Sequence, residues 1–125
     1  MGFADELRPE VYDRAADIVD ERGHCKGAYT NEAGEVCFLG AIHCAVVEPL
    51  GIQPFSVNGF RGKPIPESAH LSLAHISDET SDRAGLGPGS LPVQWNDAPE
   101  RTGKEVSAKL RQMAQIERAR RGVTA

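Results

Sequence analysis

The sequence predicts a single α+β domain, mainly helical, in which one β-hairpin packs on three or four helices. The chain of 125 residues is long enough to bury one hydrophobic core and too short for two. Apolar residues recur at helical spacing near both ends, and two strand-like segments flank a polar turn between them. Residues 1–125 are therefore interpreted as one domain.

The first helix is expected to begin near Pro9, because the fixed φ of proline suits the first helical turn. Its apolar positions are spaced by four, three and one residues, which places them on one narrow face. They are Val11, Ala15, Ile18 and Val19. Gly23 is expected to end this helix.

Residues 25–29 and 35–38 read as the two strands of a hairpin around a polar turn at 30–34. Two strands alone are marginally stable, so the hairpin needs a helix to pack on. The apolar run at 39–47 supplies a short buried helix that Pro49 stops. Gly40 within it would allow close backbone approach to the hairpin.

The middle of the chain is rich in glycine and proline, which predicts irregular segments at 52–65 and 84–92. A helix over residues 66–83 is expected between them. Thr102 and Glu105 have the spacing of a capping box, so the last helix begins there and ends at Gly122.

The charge is unevenly distributed: residues 101–125 hold 7 basic and 2 acidic side chains of the chain's 14 and 18. The acidic N-terminus and the lack of a long apolar stretch predict a cytoplasmic protein without a membrane segment. Three cysteines cannot all pair internally, which favours free thiols.

A metal site is one hypothesis, since thiolates and imidazoles are the ligands that zinc prefers. The spacing argues against it, because no Cys-x-x-Cys pair is present and neighbouring side chains diverge on a strand or a helix. Buried structural cysteines are the favoured interpretation. The five candidate ligands are His24, Cys25, Cys37, His43 and Cys44.

A thiol nucleophile is a second hypothesis, and Cys37 is best placed because helix-end amides can lower a thiol pKa. Such chemistry needs a base and an orienting group. Candidates for these roles are His43, His70, His75 and Asp97, with Asn96 as an alternative to Asp97. The protein would then be a cysteine-dependent hydrolase or transferase.

Nucleic-acid binding through the basic C-terminal helix is a third hypothesis. Its positive charges spread around the helix without interleaved aromatic residues, so they can equally neutralise the acidic body of the molecule. Neither a Gly-x-Gly-x-x-Gly nor a P-loop pattern is present, and no cofactor is expected.

Three segments carry a resemblance: residues 23–27 (GHCKG), 34–41 (GEVCFLGA) and 95–99 (WNDAP), the last followed by Thr102 and Glu105. They are similar to segments of a family of small uncharacterised proteins from actinobacteria and their phages. His24 stands where that family usually has tryptophan. The resemblance implies a shared architecture and a phage or accessory-gene origin, and it supplies no catalytic residues.

The favoured function is a small accessory or regulatory protein, phage-encoded, that acts by binding another protein rather than by catalysis. The partner is unknown; a host protein is one candidate, and a homodimer is another arrangement. Exposed aromatic and cationic residues in an irregular segment suit a partner surface. Those expected to bind are Phe55, Phe60, Arg61 and Lys63.

Overall fold

The computed structural model describes residues 8–50, 80–86 and 91–122. Its elements, in chain order, are helix α1 (Pro9–Arg22), helix α2 (Phe38–Val47), a 3₁₀ turn (Glu48–Leu50), a helical stretch at 80–83, helix α3 (Pro92–Asp97) and helix α4 (Gly103–Arg120).

Helix α1 begins and ends where the sequence predicts. Pro9 occupies its first turn, and Gly23 follows its last residue with a φ of 94°, a left-handed conformation that glycine adopts without strain. The Gly23 amide donates to the Val19 carbonyl at 2.8 Å, which closes the last turn. The buried face includes Tyr12, Ile18 and Val19.

Helix α2 is the centre of the molecule, because every residue from Phe38 to Val47 is buried. It extends one residue before the predicted start, and the chain continues after it as a 3₁₀ turn containing Pro49. A Cβ on Gly40 would overlap the carbonyl oxygen of Tyr29. The predicted close backbone approach at Gly40 is thus confirmed.

Helix α4 begins with the predicted capping box. The Glu105 amide donates to the Thr102 hydroxyl at 3.2 Å, and the Thr102 amide donates to the Glu105 carboxylate at 3.1 Å. Its buried face includes Val106, Leu110 and Met113, and it packs along α1. Gly122 lies two residues beyond its end.

The predicted hairpin is wrong, and the described residues form an all-α arrangement rather than an α+β one. Between α1 and α2 the chain forms only two isolated bridges, which join Val36 to His24 in parallel and to Thr30 in antiparallel orientation. Residues 26–29 form a bend, with Gly27 at a φ of 77°. Extended strands cannot continue through such a bend. We refer to residues 23–37 as the connecting loop.

One hydrophobic core joins the described elements, and it includes residues of α1, α2 and α4 together with Ala84. None of the described helices has both the length and the apolar character needed to cross a bilayer.

Of the two predicted irregular segments, 52–65 lies outside the described residues. The other, 84–92, is described in part: residues 84 and 85 form a turn, and α3 begins at Pro92.

Candidate functional site

The candidate site lies where the connecting loop meets the first turn of α2 and the end of α3. Asn96, on α3, is fully buried and joins all three. Its Oδ1 accepts from the Phe38 amide at 2.9 Å and from His24 Nε2 at 2.7 Å. Its Nδ2 donates to the Cys25 carbonyl at 3.1 Å and to Asp97 at 2.9 Å. The amide therefore uses its full hydrogen-bonding capacity within the protein.

Asp97 and Lys26 attach the bend of the connecting loop to α3. Asp97 Oδ1 accepts from the Gly27 amide at 3.1 Å. The Lys26 ammonium donates to the carbonyls of Ala98 at 2.7 Å and Pro99 at 3.2 Å. The bend that replaces the predicted hairpin is thus held by contacts with residues about seventy positions away.

A cleft of about 420 Å³ opens between this bend and α3. We call it the Asp97 cleft. Its described lining is Gly27, Ala28, Tyr29, Cys37, Val93 and Asp97. Cys37 is buried, whereas Asp97, Ala28 and Tyr29 are exposed. Two residues predicted for catalysis, Cys37 and Asp97, therefore line one cleft.

The environment of Cys37 does not activate its thiol. Cys37 caps α2, and its sulfur accepts from the Gly40 amide at 3.2 Å, a contact that lowers a thiol pKa. Burial acts in the opposite direction and dominates, raising the pKa of Cys37 to about 11. The thiol is therefore neutral near pH 7, and the helix-end effect expected from the sequence is outweighed.

The described histidines serve the fold. His24 donates to Asn96. His43 is 5% exposed within α2, and burial lowers its pKa to about 4, so its imidazole is neutral near pH 7. His70 and His75, the other two candidate bases, lie outside the described residues.

The predicted metal ligands do not converge in the described part of the chain. No group of three or more His, Cys, Asp or Glu residues there has a geometry that could hold a metal ion. Cys25, Cys37 and Cys44 are buried free thiols. Burial raises the pKa of Cys44 to about 11, and burial with the negative charges of Glu35 and Asp97 raises that of Cys25.

Most arginines of the basic C-terminal helix face acidic partners. Arg111 pairs with Asp17 at 3.2 Å and Asp20 at 2.8 Å on α1, and Arg118 pairs with Asp13. The buried carboxylate of Glu117 accepts from Arg120 and Arg121. The basic helix therefore neutralises the acidic surface of the same molecule.

Trp95 is half-buried and packs beside α4. Its ring lies 5.0 Å from that of Phe38, and the Arg101 guanidinium stacks 4.0 Å from the ring centre. Arg101 also donates to the Trp95 carbonyl at 3.0 Å and pairs with Glu105. These contacts pack the Trp95 ring between Phe38 and Arg101.

Sequence reasoning missed the central role of Asn96. The sequence offered Asn96 as an alternative orienting group for catalysis, whereas its side chain bonds the backbone of Phe38 and Cys25, 58 and 71 residues away. The one indication available was the position of Asn96 next to Trp95, a large residue that tends to be buried. The predicted partner-binding residues Phe55, Phe60, Arg61 and Lys63 lie outside the described residues.

Comparison with known proteins gives one match. Residues 4–116 match a family described as "Family of unknown function (DUF6197)". Neither the curated proteins nor the solved structures yield a match to this chain.

Proposed function

The chain belongs to the DUF6197 family of unknown function, and we propose that it acts by binding another protein at the Asp97 cleft. The proposal includes an accessory or regulatory role in the cytoplasm, and a phage or actinobacterial origin. The resemblance of the three sequence segments supports that origin.

One observation carries the proposal: the cleft is open and largely apolar, its candidate nucleophile is neutral, and Asp97 holds the connecting loop through one of its two oxygens. Cys37 is a buried thiol with its pKa raised to about 11. Asp97 Oδ1 and the Asn96 amide hold the connecting loop in place. A cleft with such a lining can receive a side chain from a partner without carrying out chemistry on it.

The test compares two identical substitutions at two exposed alanines. Ala28→Trp fills the Asp97 cleft, whereas Ala108→Trp places the same bulk on α4 beside Trp95. Tagged wild type and both variants are used for affinity capture from cells that produce the protein, and the captured partner is then purified and mixed with each.

We expect wild type and Ala108→Trp to bind the purified partner with equal affinity, and Ala28→Trp to lose at least tenfold. Melting curves of the two variants check that each remains folded. Equal binding by wild type and a folded Ala28→Trp variant would refute the cleft as the binding site.

The surface formed by Phe55, Phe60, Arg61 and Lys63 remains a separate prediction from the sequence. The Phe60→Ala, Arg61→Ala double variant tests it in the same assay. Loss of the partner with stability retained would support a binding role for that segment, and loss of stability alone would assign it to the core.

A further inference from the structure

We propose that the Asp97 cleft binds a lysine side chain of the partner protein. This inference rests on the proposed protein-binding function and specifies the chemistry that the cleft recognises. It depends on the hydrogen bonds of Asp97, on the lining of the cleft and on the charges around it.

Among the described residues, one oxygen of the Asp97 carboxylate accepts hydrogen bonds and the other does not. Oδ1 accepts from the Gly27 amide and from Asn96 Nδ2, at 3.1 and 2.9 Å. Oδ2 accepts no hydrogen bond from the part of the chain that the structure describes, and the Asp97 side chain is exposed. Within the described part of the chain, one acceptor is therefore held in a fixed position and the other is open to a ligand.

The rest of the lining selects a long apolar stem. Ala28, Val93 and Cys37 offer methyl groups and a neutral thiol, and Tyr29 is 39% exposed at the same cleft. A wholly apolar ligand would remove water from the Asp97 carboxylate without replacing its hydrogen bonds, which is costly. A side chain with an apolar stem and a cationic end satisfies both parts of the lining.

The charges around the cleft favour a cation over an anion. Asp97 is the one ionised side chain in the described lining of the cleft, and that lining contains no cation. The nearest cation of the connecting loop, Lys26, directs its ammonium to the carbonyls of Ala98 and Pro99 instead. An anionic ligand would meet Asp97, and no cation of the described lining would compensate its charge.

Lysine fits better than arginine because of the single open oxygen. A guanidinium group binds a carboxylate best through two parallel hydrogen bonds, which need both oxygens. Oδ1 already has two donors, so a second strong acceptor is not available for that arrangement. An ammonium group is a compact charge that needs only Oδ2 and water.

The probe for this proposal is a capped pentapeptide, acetyl-Gly-Ala-Lys-Ala-Gly-amide, titrated into the ¹⁵N-labelled full-length chain. We expect saturable shifts of the Gly27, Ala28 and Tyr29 amides, with a dissociation constant on the order of 1 mM for one side chain. Replacing the central lysine by norleucine keeps the stem and removes the charge. We expect at least a fivefold loss of affinity with norleucine, and a smaller loss with arginine.

The decisive variant is Asp97→Asn, whose side-chain carbonyl can still accept from Gly27 and Asn96. We expect it to bind the lysine peptide at least fivefold more weakly, with the Phe38 amide resonance and the melting temperature unchanged. Asp82→Asn, at an exposed acid within the helical stretch at 80–83, makes the same change in net charge and should bind as wild type does. Equal binding of the lysine and norleucine peptides, or full binding by Asp97→Asn, would overturn the proposal.

The two proposals fail in different ways. If Ala28→Trp loses the purified partner while the lysine peptide shows no preference over norleucine, the cleft binds a protein but not through lysine. If Ala28→Trp retains the partner, the proposed function itself is wrong, whatever the peptides do.

Discussion

The Asn96 side chain accepts a hydrogen bond at 2.9 Å from the backbone amide of Phe38, the first residue of α2. The first amides of a helix have no partner within the helix. Here one of them is satisfied by a buried side chain 58 residues along the chain. This contact fixes α3 against the centre of the molecule and brings Asp97 to the mouth of the cleft.

Asn96→Ala is expected to be severely destabilising. It leaves the Phe38 amide and the Cys25 carbonyl without their partner, and each unsatisfied buried group costs about 1–3 kcal/mol. We expect a loss of about 3 kcal/mol or more in the free energy of unfolding, measured by urea denaturation. Gln94→Ala, an exposed site on the same helix, should change stability by less than about 0.5 kcal/mol. Similar midpoints for the two variants would contradict the role of Asn96.

Gly40→Ala should destabilise the protein although alanine is the better helix former. In an exposed helix this change stabilises by about 1 kcal/mol. At Gly40 the new Cβ meets the Tyr29 carbonyl, a backbone atom that can move only with the connecting loop. A lowered melting temperature is the expected result, and a raised one would mean that the loop does not pack on α2 as described.

The three thiols should resist modification in the folded protein. Cys25, Cys37 and Cys44 are buried, and burial raises the pKa of each. We expect negligible reaction with Ellman's reagent at pH 8, and release of three equivalents once the chain is unfolded in guanidinium. Rapid modification of Cys37 alone, mapped by mass spectrometry, would instead favour the cysteine-dependent enzyme hypothesis.

His43 should make the protein less stable in mild acid. Its folded-state pKa is about 4, whereas an unfolded chain protonates histidine near 6.5. The unfolded state therefore binds more protons between these values, and the contribution of His43 to stability falls as the pH drops from about 6.5 to 4. The expected loss approaches about 3 kcal/mol. Denaturant melts across this range should show a flatter pH dependence for His43→Gln, and an equally steep one would refute this assignment.

Thr80→Val is expected to be neutral or stabilising. The Thr80 hydroxyl is buried and has no hydrogen-bond partner among the described contacts. Replacing this hydroxyl by the second methyl group of valine therefore removes a desolvated polar group. The free energy of unfolding should rise by up to about 1 kcal/mol.

Ser107→Ala is the matched comparison for Thr80, because the Ser107 hydroxyl is also buried but donates to the Lys104 carbonyl at 3.3 Å. It should lose about 1 kcal/mol. A destabilised Thr80→Val would show that the Thr80 hydroxyl has a partner in solution.

The sequence predicts those parts of the fold that depend on neighbouring residues. Pro9 and Gly23 bound α1, and the Thr102 capping box starts α4, because these residues act within one helical turn. Gly40 was identified as a point of close approach for a different reason: glycine has no Cβ, so another segment can pack directly on it. The irregular segment 52–65, which holds the predicted partner-binding residues, lies outside the described residues, and its binding role stays a prediction.

The connecting loop could not be predicted in this way. Its residues have the alternation and the turn composition of a hairpin, but Lys26 and Gly27 are held by the end of α3 instead. The thiol of Cys37 was likewise judged by its place at a helix end, while burial by the assembled core decides its pKa. Contacts between distant parts of the chain determine both outcomes.

The anchoring of α2 by Asn96 has a consequence for synthesis. During synthesis on the ribosome, α1, the connecting loop and α2 emerge well before α3 (Pro92–Asp97). Until Asn96 emerges, the Phe38 amide has no side-chain acceptor and the Cys25 carbonyl has no side-chain donor. The α4 face that covers α1 emerges later still. A nascent chain therefore presents an almost wholly apolar α2 that has α1 to pack on but lacks α3, and the native arrangement is reached only after α4 leaves the exit tunnel.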